Sequence, residues 1–363
     1  MKEKSIVEFE AITFTENGTG YASAFAFNGL YEIDLENQKC KYMMLFPNEN
    51  ANGKRLYSSA LHCNSRIYFI PMSGKYISIY NVEQKTIKQL SIPLPFSEYS
   101  FYKEAFKFVA AVCWRENIFI IPFTYPGILK LDIKTNKITV LRQWIPKEGY
   151  FFRGGLCIDG NNVYIPSGNN NIILEFNMET EKGIIHRIGK YNNGGMCMYR
   201  YGKDYWIAPR QKGAIVIWNP ACNLISEIKD YPIGFQSGKI VFSKIIRCKD
   251  KLFFMPASAN RVLSVKIESK ELALEDRWKP QEGSMVACMF ETDEHYYFYE
   301  ANQSVGLSRH YRICKKDGKT EDYVLKAERQ KENQRDRLNL VIEMGESVKE
   351  TENFKLEDFL GLI

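Results

Sequence analysis

The sequence predicts an all-β fold of seven similar four-stranded sheets, followed by a short helical extension. A pattern of three strands separated by short turns recurs along the chain, most clearly over residues 66–92, RIYFIPMSGKYISIYNVEQKTIKQLSI. One cysteine precedes each of six copies, at intervals of 40 to 51 residues. The chain is also rich in aromatic residues that favour strands, with 23 Phe and 22 Tyr.

The spacing of these copies predicts the architecture. A period near ~45 residues with about four strands per unit is typical of a β-propeller blade. We therefore predict a seven-bladed β-propeller in which every blade holds its four strands in chain order. The predicted blades are residues 9–46, 57–92, 106–144, 151–188, 194–229, 241–278 and 284–325.

Turn residues and prolines mark the ends of strands in the predicted blades. Short polar stretches between the third and fourth strands, such as Lys134-Thr135-Asn136, are expected to form hairpin loops. A proline lacks the N–H that a central strand needs, so it is expected to end the second strand. Five blades have such a proline, at Pro71, Pro122, Pro166, Pro209 and Pro256.

The chain is predicted to contain a propeller domain at residues 1–325 and a helical tail at residues 326–363. The tail begins with a charged, helix-permissive stretch. Residues 353–363, NFKLEDFLGLI, then place apolar side chains close to the spacing of an amphipathic helix. This helix is expected either to pack back on the propeller or to dock a protein partner.

The blade pattern resembles the β-propeller superfamily that includes Kelch, WD40 and quinoprotein-like repeats, over about residues 9–325. The resemblance lies in the architecture rather than in motifs. The Kelch double glycine is not in the second strand, because Gly154-Gly155 and Gly194-Gly195 precede first strands instead. The Trp-Asp ending of WD40 repeats is absent. This fold serves many functions, so the resemblance implies none of them.

Composition and charge narrow the class of protein. The formal net charge of +6 is mild, and no Lys/Arg block resembles a nucleic-acid tail, so no nucleic-acid partner is expected. The N-terminus carries Glu3, Glu8 and Glu10 where a signal peptide needs an apolar core, and no apolar run approaches a membrane span. A cytoplasmic protein with no membrane partner is therefore expected.

The nine cysteines include no CxxC pair, and six of them share one position in successive repeats. This spread predicts small buried side chains rather than a metal site or a redox pair. The four histidines have no metal-ligand spacing, so no metal is predicted. No Walker or Rossmann glycine motif occurs, and no cofactor is predicted.

The loops that enter each first strand, and those that join the second and third strands, are expected to share one rim. They are basic and rich in amides and aromatic residues. We predict that they bind an anionic small molecule, glycan or peptide, because arginine forks match carboxylate and phosphate groups. The predicted ligand-binding residues are Lys75, Lys107, Tyr125, Phe152, Arg153, Arg210, Lys212, Lys244 and Arg261.

Two functions are compatible with this rim. The first is a non-catalytic recognition or scaffold propeller. The alternative is a lyase, hydrolase or epimerase that acts on a sugar or modified peptide at the same rim. Such an enzyme would need a general acid or base, for which the candidates are His62, Glu104 and Glu282.

Overall fold

The computed structural model describes residues 8–94, 100, 102–142, 151–189, 194–276, 278–302 and 307–327. The strands of these residues form seven antiparallel sheets with four consecutive strands each, and one sheet gains a fifth strand. This confirms the predicted seven-bladed β-propeller with its strands in chain order. Of the predicted tail at residues 326–363, Lys326 and Ala327 are described and form a short strand, and the rest, with the docking segment at residues 353–363, lies outside the described residues.

The chain divides into two compact units, and the first contains Met1–Ile92 and Tyr323–Ile363. It holds blades one and two. The strands of blade one are β1 (Phe9–Phe14), β2 (Gly20–Ala24), β3 (Leu30–Asp34) and β4 (Lys39–Met44). Those of blade two are β5 (Tyr57–Cys63), β6 (Arg66–Pro71), β7 (Tyr76–Asn81) and β8 (Thr86–Ser91).

The second unit, Pro93–Asp322, holds the other five blades. A single 3₁₀ turn in its described part, Glu104–Phe106, precedes blade three. The strands are β9 (Phe108–Trp114), β10 (Asn117–Pro122), β11 (Ile128–Asp132), β12 (Ile138–Leu141), β13 (Cys157–Asp159), β14 (Asn162–Pro166), β15 (Ile172–Asn177), β16 (Lys182–Arg187), β17 (Gly195–Tyr201), β18 (Asp204–Pro209), β19 (Ile215–Asn219), β20 (Leu224–Ile228), β21 (Phe242–Cys248), β22 (Lys251–Pro256), β23 (Val262–Lys266), β24 (Leu272–Glu275), β25 (Met285–Glu291), β26 (His295–Asn302), β27 (Leu307–Cys314) and β28 (Thr320–Asp322).

The position of a strand in its blade determines its hydrophobic pattern. Second strands such as β18 and β22 are buried at five successive residues, because neighbouring sheets of the same unit cover both of their faces. Outer strands such as β8 and β16 have solvent-exposed residues interspersed along their length. Each of the five prolines ends its second strand, as predicted.

The hydrophobic core lies between consecutive sheets. In the second unit, Phe119 of blade three packs with Phe176 of blade four at 5.3 Å between ring centroids. Tyr164 of blade four packs with Tyr205 of blade five at 4.6 Å. Within this unit, such pairs pack one sheet against the next, so that the first strands and their entering loops are held in fixed positions.

The last described strand, β29 (Lys326–Ala327), pairs in parallel with β4 and becomes the fifth strand of blade one. The N–H of Lys326 donates to the carbonyl oxygen of Gln38 at 2.8 Å. Tyr323 and Leu325, which precede it, are almost completely buried. The first sheet therefore contains strands from both ends of the described chain.

The repeated cysteine position is less uniform than its sequence pattern predicts. Cys63, Cys197 and Cys248 are buried, as expected for small interior side chains. Cys113 is exposed, so the prediction is wrong for this blade. In the described part of the chain, no helix is long and apolar enough to span a bilayer.

Candidate functional site

The entering loop of each blade is hydrogen-bonded to the loop after its second strand. In four blades the residue that follows the strand-ending proline donates its N–H to a carbonyl oxygen of the entering segment. These bonds are Met72 to Leu56, Phe123 to Lys107, Arg210 to Gly194 and Ala257 to Val241, at 2.8 to 3.1 Å. The two sets of loops that the sequence assigned to one rim are therefore adjacent within each of these blades.

Blade four departs from this pattern. Ser167, the residue after its proline, donates instead to Ile172, and the next residue, Gly168, donates to the carbonyl oxygen of Phe151 at 3.0 Å. Phe151 has a φ of 43°, in the left-handed region that bulky residues rarely adopt. Strained backbone of this kind is often found at ligand sites, so the departure directs attention to the loops around Phe151.

Two arginines lie beside this irregular loop, Arg153 of blade four and Arg210 of blade five. We call them the arginine pair. The Nε atom of each is buried and has no hydrogen-bond partner among the described residues. The cation of Arg153 lies over the ring of Phe123, with 5.0 Å from Cζ to the ring centroid. A buried guanidinium nitrogen without an acceptor is costly, and the described residues leave both of these Nε donors unsatisfied.

Two glycines bring the arginines together. A Cβ atom on Gly168 would overlap the Nε of Arg153, and a Cβ on Gly194 would overlap the backbone of Gly168. Gly194 has a φ of 63°, and its carbonyl oxygen accepts the N–H of Arg210 at 3.1 Å. The absence of these two side chains therefore allows the arginine of blade four to approach the loop of blade five.

The electrostatics of the arginine pair agree with this geometry. Burial and, after it, the nearby positive charge of Arg210 together lower the pKa of Arg153 to about 10. Both causes disfavour the charged form. An anion between the two guanidinium groups would counter the repulsion from Arg210 and offset part of the cost of burial.

Three phenylalanines extend the site on the side of blade three, and we call them the aromatic row. Phe106 contacts Phe123 at 6.0 Å, and Phe123 contacts Phe151 at 5.2 Å, both between ring centroids. Phe106 is exposed, and the other two rings are half-buried. The row therefore presents apolar ring surface beside the cation of Arg153.

The loop after β14 adds amide groups. The Oδ1 atom of Asn170 is buried and has no hydrogen-bond partner among the described residues. Asn171 uses its Oδ1 to accept the N–H of Gly194 at 3.3 Å, and Ser167 donates its hydroxyl to Asn169 at 2.5 Å. Asn170 thus has an acceptor available to a ligand, whereas its two neighbours hold the loop in shape.

Three of the residues predicted to bind ligand are buried. Tyr125 is 2% exposed and donates its hydroxyl to the carbonyl oxygen of Pro93 at 2.7 Å, and burial raises its pKa to about 12. Phe152 is 1% exposed in the core between blades three and four. Lys107 is also buried, and its ammonium group donates to the carbonyl oxygen of Glu104.

Other predicted residues of the second unit lie apart from the arginine pair. Lys212 lines a cavity of about 710 Å³ formed mainly by residues 229–238. Arg261 and Glu282 line an adjoining cavity of about 310 Å³ between blades six and seven, which shares Gln236 and Gly238 with the first. Arg261 lies 3.7 Å from Asp276. Lys244 forms an ion pair with Glu291 at 3.6 Å.

The remaining candidates are distributed over both units. His62 is half-buried in β5, and Lys75 is exposed after β6, so both belong to the first unit. Glu104 is exposed in the 3₁₀ turn before blade three. Of the nine predicted ligand-binding residues, the described structure brings Arg153 and Arg210 together at one site.

Comparison with known proteins identifies the fold. No family model matches the chain, and no curated protein matches it. A structure of virginiamycin B lyase from Staphylococcus aureus aligns with a TM-score of 0.61, covering 82% of this chain and 93% of that one at 14% identity. The chain is a β-propeller.

Further structures extend this likeness. A streptogramin B lyase structure aligns with a TM-score of 0.59 at 14% identity, covering 82% of this chain and 91% of that one. A chain from a mitotic checkpoint complex aligns with a TM-score of 0.56 at 10% identity, covering 86% of this chain and 90% of that one. Identities this low establish a common fold and leave the function to be argued from the site.

Proposed function

We propose that this protein is a recognition propeller that binds an anionic small molecule, glycan or peptide at the arginine pair. The observation that carries the proposal is that both Arg153 and Arg210 have a buried Nε atom without a hydrogen-bond partner among the described residues. Each guanidinium can form charge-assisted hydrogen bonds to a carboxylate or phosphate, and partial burial strengthens that attraction. An anion would therefore satisfy donors that the described residues leave unsatisfied.

Binding of inorganic phosphate to the full chain, followed by the broadening of its ³¹P resonance, tests this proposal. Arg153→Met and Arg210→Met should each weaken binding about tenfold, because each removes one charge-assisted contact. Added sodium chloride should weaken binding to the wild-type protein, because the ions screen a partly exposed site.

Arg187→Met is the matched control. Arg187 is exposed on β16 in the same blade as Arg153, so its removal changes the net charge by the same amount. Its phosphate affinity should equal that of the wild-type protein. Equal affinity in all three variants would contradict the proposal, because general surface charge would then explain the binding.

A catalytic role at this surface is the alternative that the sequence left open. An enzyme acting on an anionic substrate would also need the arginine pair, so phosphate binding does not separate the two functions. A turnover that Glu104→Ala abolishes, with ligand affinity retained, would favour the enzyme. Glu104 is suited to this test because it is exposed in the 3₁₀ turn that ends at Phe106, which contacts Phe123 beside Arg153.

A further inference from the structure

We infer that the ligand of the arginine pair carries an aromatic ring next to its anionic group, and that the aromatic row binds this ring. The inference rests on the proposed function and specifies the class of ligand. It is carried by the placement of Phe106, Phe123 and Phe151 beside the cation of Arg153.

The exposure of the row is the first argument. Phe106 keeps 38% of its surface exposed although it packs against Phe123. The rings of Phe106 and Phe123 are inclined at 82° to each other, so the edge of one meets the face of the other. The exposed ring of Phe106 can make stacked or edge-to-face contacts with an aromatic ring of a ligand.

The backbone of Phe151 is the second argument. Its φ of 43° is unfavourable for a phenylalanine, and glycine or asparagine would adopt it at lower cost. The conformation is held by the hydrogen bond from Gly168 to the Phe151 carbonyl oxygen, and it places the ring 5.2 Å from that of Phe123. A strained residue that completes a row of rings at a cationic site is consistent with a binding role.

The position of Arg153 connects the ring and the anion. Its guanidinium lies over Phe123, and its Nε is one of the two unsatisfied donors of the arginine pair. An anionic group bound to that Nε atom is therefore close enough to the aromatic row for one small ring attached to the group to contact the row. This adjacency favours aryl phosphates and aryl carboxylates over anions of the same charge without a ring.

Matched pairs of probes test the inference on the full chain. Phenyl phosphate should bind about tenfold more tightly than methyl phosphate, which has the same anionic group without the ring. The comparison of benzoate with acetate makes the same test for a ligand whose anionic group is a carboxylate. If only one of the two pairs shows tighter binding of the aromatic anion, that pair identifies whether the site binds a phosphate or a carboxylate.

Phe106→Ala should reduce the ratio of the phenyl phosphate and methyl phosphate affinities severalfold. Leu224→Ala is the control, because Leu224 is 66% exposed on the outer strand of blade five, and its ratio should match that of the wild-type protein. Equal affinities within both the phosphate pair and the carboxylate pair in the wild-type protein would overturn the inference and leave the proposed function intact. Failure of all four anions to bind would instead remove the proposed function.

Discussion

The position of Arg153 favours the binding of an anion rather than the stability of the folded protein. Its side chain is largely removed from water, its Nε has no partner among the described residues, and Arg210 adds a repulsive charge. At neutral pH, which lies well below the folded-state pKa of about 10, the group is charged in both the folded and unfolded protein. The cost of holding that charge is therefore fully present under ordinary conditions.

Arg153→Met should consequently stabilise the protein while it weakens anion binding. Methionine can keep the contact with Phe123, and the substitution removes both the buried charge and its repulsion from Arg210. We expect the free energy of unfolding to rise by about 1 kcal/mol in urea denaturation at neutral pH. Arg187→Met should change it by less than about 0.5 kcal/mol. A less stable Arg153→Met protein would show that the guanidinium has a stabilising partner.

Two adjacent residues show the limit of sequence reasoning at this scale. The sequence favoured Phe152, together with Tyr125, as an aromatic ligand-binding residue, but the structure places Phe152 in the core and Phe151 in the aromatic row. Which of two neighbouring side chains faces outward depends on the local φ and on the bond from Gly168. The place of Phe123 at the site was easier to predict. Phe123 directly follows Pro122, as Arg210 directly follows Pro209, so the repeat places both residues in the same kind of loop.

At the scale of elements, the five-stranded sheet of blade one depends on a short segment after β28. Tyr323 is 1% exposed and donates its hydroxyl to the carbonyl oxygen of Leu35 at 3.2 Å, and Leu325 is 2% exposed. Together they place β29 against β4. The sequence did not predict this strand, because two residues are too few to show any periodicity.

Leu325→Ala should therefore destabilise the protein by about 2–4 kcal/mol, since it removes a buried side chain next to a strand that has few other contacts. Lys326→Ala is the control, because Lys326 is exposed and contributes its backbone to β29. It should cost less than about 0.5 kcal/mol. Urea denaturation measures both variants, and equal midpoints would mean that the segment does not support blade one.

At the scale of the whole molecule, the repeat made the fold predictable. The four-stranded blade with its hairpins recurs along the chain, and in five blades the second strand is an apolar run that ends at a proline. The site is less predictable because it does not follow the repeat. It lies where blade four departs from the repeat, so the pattern that reveals the fold carries no information about it.

The central claim is that the arginine pair is an anion site, and a crystal structure of the wild-type protein soaked in selenate tests it most directly. The account predicts an anomalous peak within hydrogen-bond distance of the Nε atoms of Arg153 and Arg210. The absence of that peak, with either guanidinium bound instead to a carboxylate of the protein, would contradict the account.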